Sequence, residues 1–127
     1  MKLEHFSSDK LPPAVGPYSQ SVAFGNVIFT SGQIPMDPVT GEMISDIKAA
    51  TKLVLSNLLL AVEAAGGSKE TIAKTDVFLK DLKDFDKFNE AYIEFFGECK
   101  PARVLTQAGD LAEDAVLEAA VVAFRAE

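Results

Sequence analysis

The sequence predicts an α+β domain in the order ββαβαββ, with a mixed sheet and both helices on one face. Three observations predict it: a β-prone pair joined by Gly25-Asn26, two segments of helical apolar spacing, and a final run that is apolar at all but one position.

Tyr18 to Phe24 and Val27 to Ser31 read as two short strands, because Gly25-Asn26 is a two-residue connection that tolerates positive φ. Pro12, Pro13 and Pro17 keep the preceding segment extended. Pro35, Asp37, Pro38 and Thr40-Gly41 mark turns, so residues 33 to 44 are expected to be loop. From Asp46 onward Ile47, Ala50, Val54, Leu58, Ala61, Val62 and Ala65 recur at helical spacing. Ser45 or Asp46 can cap this helix, and Gly66-Gly67 stops it. Leu53, Leu55, Leu59 and Leu60 widen its apolar stripe, which suits packing on a sheet and against a second helix. Thr71 to Lys80 alternates and is expected to be a strand. Asp84 begins a second helix whose Phe85, Phe88, Tyr92 and Phe95 or Phe96 form a stripe ending at Gly97, a pattern of core rather than of a cofactor box. After Pro101, residues 103 to 108 form a strand, Gly109-Asp110 a turn, and Ala115 to Phe124 a long last strand. No internal repeat or linker interrupts the chain, so residues 1–127 are expected to be one domain.

Composition narrows the function. The 127 residues are 48% hydrophobic and 24% charged, as in ordinary globular proteins. A net charge of −7 opposes nucleic-acid binding, which needs a concentrated basic surface. Lys80, Asp81, Lys83, Asp84, Asp86 and Lys87 alternate in sign, the pattern of a solvated face. No segment approaches the ~20 apolar residues of a membrane span, and Met1 to Phe6 holds no long apolar run. The expectation is a soluble protein that is not exported. One cysteine, Cys99, cannot form an internal disulfide, which agrees with a reducing cytoplasm. His5 is the only histidine, and with Cys99 it is too little for a transition-metal site. Nucleophile systems that need a His are excluded unless they use His5. Carboxylates, Arg, Lys, Tyr, backbone groups and water remain.

The last strand reads Ala-Val-Leu-Glu-Ala-Ala-Val-Val-Ala-Phe, apolar on both alternating faces. Two helices cover one face only. The other is therefore expected to be covered by further copies of the chain in a closed homo-oligomer. Glu118 stands alone in that run, and a buried unpaired carboxylate costs several kcal/mol, so it needs a partner. Antiparallel pairing of the last two strands through the 110 to 114 turn would bring Arg103 near it. Two readings then stand side by side: a structural ion pair, or a reactive site.

Further residues carry a resemblance. Gly16-Pro17-Tyr18, Thr30-Ser31-Gly32-Gln33-Ile34-Pro35, Asp37-Pro38 with Thr40-Gly41-Glu42, Glu63-Ala64-Ala65-Gly66, Lys74-Thr75, Val77-Phe78, Lys80-Asp81-Leu82, Asp84-Phe85, Asn89, Pro101-Ala102-Arg103 and Glu118 together resemble the reactive intermediate deaminase A family. That family is also called YjgF-type, and many members carry the label L-PSP endoribonuclease. The blocks follow in order over nearly the whole chain. The resemblance implies a chorismate-mutase-like fold and a homotrimer whose sheets form a central barrel, with a site in each of three clefts between subunits. It implies hydrolysis of 2-imino acids, such as 2-iminobutanoate and 2-iminopropanoate, to 2-keto acids and ammonia, and no cofactor.

The resemblance marks Arg103 and Glu118 as catalytic, and Tyr18, Ser31, Gly32, Asn89, Arg103 and Leu105 as substrate-binding. Arg103 offers a planar fork that matches a carboxylate. Glu118 can hold a water against the imine carbon and move protons to the departing nitrogen. Gly32 lets backbone approach the ligand closely, and Tyr18 and Asn89 shape the wall. Two departures bear on the pocket: Leu105 stands where relatives often have a small polar residue or Cys, and Gly97-Glu98-Cys99-Lys100 is a short connector ending in Lys rather than an aromatic. Two other functions compete with the deaminase: a regulatory trimer that binds small carboxylates without turnover, and an endoribonuclease or translation inhibitor.

Overall fold

A computed structural model describes residues 2–126. The elements in chain order are β1 (Leu3–Phe6), β2 (Ser21–Phe24), β3 (Val27–Thr30), α1 (Ile47–Ala64), β4 (Ile72–Leu79), α2 (Phe85–Phe96), β5 (Ala102–Gln107) and β6 (Leu117–Phe124). The sheet order is β1-β2-β3-β6-β4-β5, with β4 and β5 parallel and every other neighbour antiparallel. The α+β expectation holds, with one strand more than expected. Leu3–Phe6 adds an edge strand by pairing with β2, and four residues are too few for alternation to announce it.

Each helix stands on local chemistry. Asp46 caps α1 by accepting from the Ala49 N–H at 3.0 Å. Gly66 ends it at a φ of +98°, a conformation costly for any residue with a Cβ. Ala50, Val54, Leu58, Ala61 and Val62 are buried, and each of the larger ones contributes about 1.5–3 kcal/mol relative to exposure. On α2 the buried Phe88, Tyr92 and Phe96 stack along one side, with ring centroids 5.5 and 4.8 Å apart.

The expected pairing of the last two strands is corrected by the topology. β5 does not neighbour β6. It pairs with β4 in parallel through the α2 crossover, which leaves it at the sheet edge, while β6 inserts between β3 and β4. The physical reason is that a strand-helix-strand segment closes most readily as a parallel crossover unit, whereas a strand apolar on both faces belongs in the interior of a sheet. The connection between them runs over the end of β4, where Ala108 donates to the Leu79 carbonyl and Lys80 to that of Val116.

Strand alternation then assigns the faces. Leu117, Ala119, Val121 and Ala123 lie buried beneath the helices, and Glu118, Ala120, Val122 and Phe124 lie on the opposite face. That face also carries Leu3, Phe24, Val27, Phe29 and Val104, each between 36% and 51% exposed.

Candidate functional site

Arg103 and Glu118 lie in different places. Arg103 registers with Thr75 and shares the helix-covered face, whereas Glu118 registers with Phe78 on the open face. The two side chains of one chain therefore project from opposite sides of the sheet, and the structural ion pair is not formed. The expected proximity rested on the strand pairing corrected above.

Around Arg103 the chain builds a cationic half-site. Its guanidinium lies over the Tyr92 ring at 4.9 Å and the Phe88 ring at 5.7 Å, and Nη1 donates to Asn89 Oδ1 at 2.7 Å. Asn89 and Tyr92 are one helical turn apart on α2, so both reach the same group. Among the described residues no carboxylate lies within ion-pair distance of Arg103. The group instead faces a cavity of about 480 Å³ lined by Asn89, Tyr92, Ile93, Phe96 and Cys99 among others, none of them acidic. Burial pushes the Tyr92 phenol above its ordinary pKa, against the smaller opposing effects of its Thr75 hydrogen bond and the Arg103 charge. The phenol stays neutral beneath the cation.

Around Glu118 the chain builds an acidic half-site. A cleft of about 390 Å³ is lined by Val15, Tyr18, Ser31, Gly32, Ile34, Ala112 and Glu118. Its geometry comes from a bulge. Phe29 pairs with Val122 and Gln33 with Ala119, so four residue steps on one strand face three on the other. Thr30 Oγ1 closes the gap by accepting from the Val121 N–H at 2.9 Å, and Ser31-Gly32 swings out over Glu118. A Cβ on Gly32 would stand 2.2 Å from Glu118 Oε2, so only glycine allows this approach. Ser31 donates its hydroxyl to the Ser19 carbonyl at 2.6 Å, tying the bulge to the segment that carries Tyr18. Tyr18 is 44% exposed at the cleft.

The structure thus brings Tyr18, Ser31, Gly32 and Glu118 together in one place, and Asn89 and Arg103 in another. Leu105 lines neither cavity; it is half-buried and packs against the core two register steps beyond Arg103. Sequence reasoning missed the role of Phe88 and Tyr92, which it read as core alone, and missed Val15, Ile34 and Ala112 in the cleft. The helical spacing of Tyr92 from Asn89 was the one available signal for the first pair.

Comparison with known proteins shows the family and the fold. A family model described as Endoribonuclease L-PSP matches residues 8–125. A RutC family protein of Pyrococcus abyssi is 46% identical over 98% of this chain and 99% of its own. A 2-iminobutanoate/2-iminopropanoate deaminase of Escherichia coli is 43% identical over 94% of this chain and 95% of its own. Among solved structures, Escherichia coli TdcF with bound serine superposes with a TM-score of 0.93 at 40% identity, covering 97% of this chain and 99% of that one.

Proposed function

The chain belongs to the YjgF-type family described as Endoribonuclease L-PSP, and from that premise we propose that it hydrolyses 2-imino acids to 2-keto acids and ammonia at a site shared between copies. One observation carries the reading: Arg103 is held by aromatic rings and one neutral amide, with its other donors turned to a cavity that contains no acid. A planar fork left open in this way suits the carboxylate of a small acid. The deaminase named for the Escherichia coli relative acts on imino acids that carry such a group, and TdcF is described with serine, another small carboxylate.

In this mechanism Arg103 fixes the carboxylate and thereby places the imine carbon. Glu118 holds a water against that carbon and accepts its proton as the new C–O bond forms and the C=N π electrons move to nitrogen. The proton then passes to nitrogen. Glu118 next takes the hydroxyl proton of the carbinolamine and delivers it to nitrogen, so that the O–H electrons form the C=O bond and ammonia leaves with both electrons of the C–N bond. No covalent enzyme intermediate is needed, because the imine is already electrophilic.

Opposite faces of one sheet cannot meet within a chain, so the reading places Arg103 of one copy against Glu118 of the next. Support comes from the open face, where Leu3, Phe24, Val27, Phe29, Val104 and Phe124 leave an apolar surface that a homotrimer would cover. Sedimentation at micromolar concentration is expected to give a trimer; a stable monomer would remove the shared site. The proposed location is the cytoplasm, and no helix of the described residues is long and apolar enough to cross a membrane.

The test of function is coupled release of ammonia from freshly generated 2-iminobutanoate. A rate above solvent hydrolysis that tracks the protein supports the enzyme. Binding of the keto acid without turnover would favour the second reading, a carboxylate-binding regulator, which the serine described in TdcF also suits. The net charge of −7 supports neither RNA cleavage nor translation inhibition by RNA contact.

A further inference from the structure

Tyr92 was expected to be core, and its burial agrees with that. Its ring does something more. The nearer of the two rings under Arg103, it lies 4.9 Å from the guanidinium carbon, while its hydroxyl hydrogen-bonds Thr75 Oγ1 at 2.8 Å. Thr75 is fully buried on β4 and is the register partner of Arg103 itself. The ring is therefore held at both ends: its stem is fixed on α2, and its tip is pinned to the β4 residue that pairs with the arginine. A ring fixed in this way cannot swing aside, and its negative face attracts the cation. Asn89, three residues earlier on the same helix, takes one N–H at the edge of the fork. Together they leave the guanidinium one orientation, with its free donors toward the cavity.

We infer that Tyr92 is a positioning residue for the carboxylate anchor, setting the plane of the Arg103 fork through its ring face and holding that face through Thr75. The inference rests on the reading of Arg103 as the carboxylate anchor. It adds that the aromatic stripe of α2 is a binding device as well as core. The ring face is the working part; the hydroxyl is only its pin. Replacing the ring by an aliphatic side chain frees the fork, whereas replacing Tyr by Phe keeps the platform.

The experiment compares the full-length chain with Tyr92→Leu and Tyr92→Phe. Calorimetry with 2-oxobutanoate is expected to show affinity about tenfold weaker for Tyr92→Leu and within about twofold of the parent for Tyr92→Phe. In ammonia release, KM should rise with the binding loss while kcat stays within about threefold, because Glu118 is untouched. A merely structural role would instead reduce the active fraction, and so kcat, at constant KM. Nitrogen-proton spectra of the arginine side chain give a readout that needs no ligand. Arg103 should be ring-shielded in the parent and in Tyr92→Phe, and should move to the position of a freely solvated arginine in Tyr92→Leu. Unchanged affinity in Tyr92→Leu, a Tyr92→Phe loss as large as the Leu loss, or an unshielded Arg103 in the parent would each overturn the inference. If the parent neither bound 2-oxobutanoate nor released ammonia, the anchor reading would fall, and the shielding of Arg103 would still decide whether Tyr92 holds it. If Tyr92→Leu did not fold, the parent and Tyr92→Phe spectra would decide alone.

Discussion

The chain has two arginines, and both lie over aromatic rings, yet their surroundings differ. Arg125 follows β6 and is saturated: it donates to the Gly25 carbonyl at 3.0 Å and the Ala65 carbonyl at 3.2 Å, and pairs with Glu4 at 2.6 Å. The Phe6 ring lies 5.7 Å away. Arg103 has its rings and Asn89, and no carboxylate among the described residues. Five donors in a rigid fork are costly to leave idle in a partly buried place unless something arrives to use them. The comparison teaches that Arg125 carries its own acceptors, whereas Arg103 is oriented and left without an ion-pair partner, as the proposed carboxylate anchor requires.

The comparison can be broken by substitution. The largest expected effect is Arg103→Ala, which should lower kcat/KM by about a thousandfold through loss of the bidentate contact and of substrate placement, with little change in stability. Arg103→Lys keeps the charge without the fork and should recover only part of it. Steady-state ammonia release read beside thermal unfolding checks both.

Glu118→Gln is expected to lower kcat by about a hundredfold or more while 2-oxobutanoate binds nearly as before. The contrast between a binding loss at one half-site and a turnover loss at the other sharpens the division between them. A Glu118→Gln variant that lost keto-acid affinity and kept kcat would reverse these roles.

Gly32→Ala should act at the same place more gently. The added Cβ meets the end of a flexible side chain, so Glu118 yields and the fold survives, but its carboxylate leaves the water position. The loss in kcat should stay within about a hundredfold, the scale of a misplacement near 1 Å.

The smallest functional effect belongs to Arg125→Ala. It should cost stability, on the order of 2 kcal/mol for a clamp of carbonyls and one ion pair, and leave kcat/KM unchanged. Chemical unfolding and kinetics on the same sample measure both sides of the contrast.

Much of the fold was legible because its signals are local. The Gly25-Asn26 turn joins β2 and β3, the apolar spacing after Asp46 marks α1, and the aromatic stripe marks α2. Alternation found β4, and the doubly apolar run found β6. What failed was pairing. Whether β5 lies beside β6 or across β4 depends on the α2 crossover closing against the sheet, and no short window records that. The same failure put Arg103 beside Glu118, when alternation and register set them on opposite faces. The bulge at Ser31-Gly32 was equally hidden, because it exists only as a mismatch between two strands distant in sequence. Asn89 was singled out through the resemblance alone; its hydrogen bond to Arg103 was not legible in the sequence.

The central claim is that one site takes its arginine from one copy and its glutamate from another, and mixing two impaired variants tests it most directly. Arg103→Ala and Glu118→Gln subunits are each expected to keep no more than about a hundredth of the parent activity alone. Mixed in equal amounts, dissociated and reassembled, they should regain about a quarter of the parent activity, because a site between neighbours draws each half independently from an intact subunit half of the time. Recovery near that fraction, rising and falling with the mixing ratio, is the predicted result. No recovery after verified subunit exchange would mean that Arg103 and Glu118 serve the same chain's site, and would contradict the account.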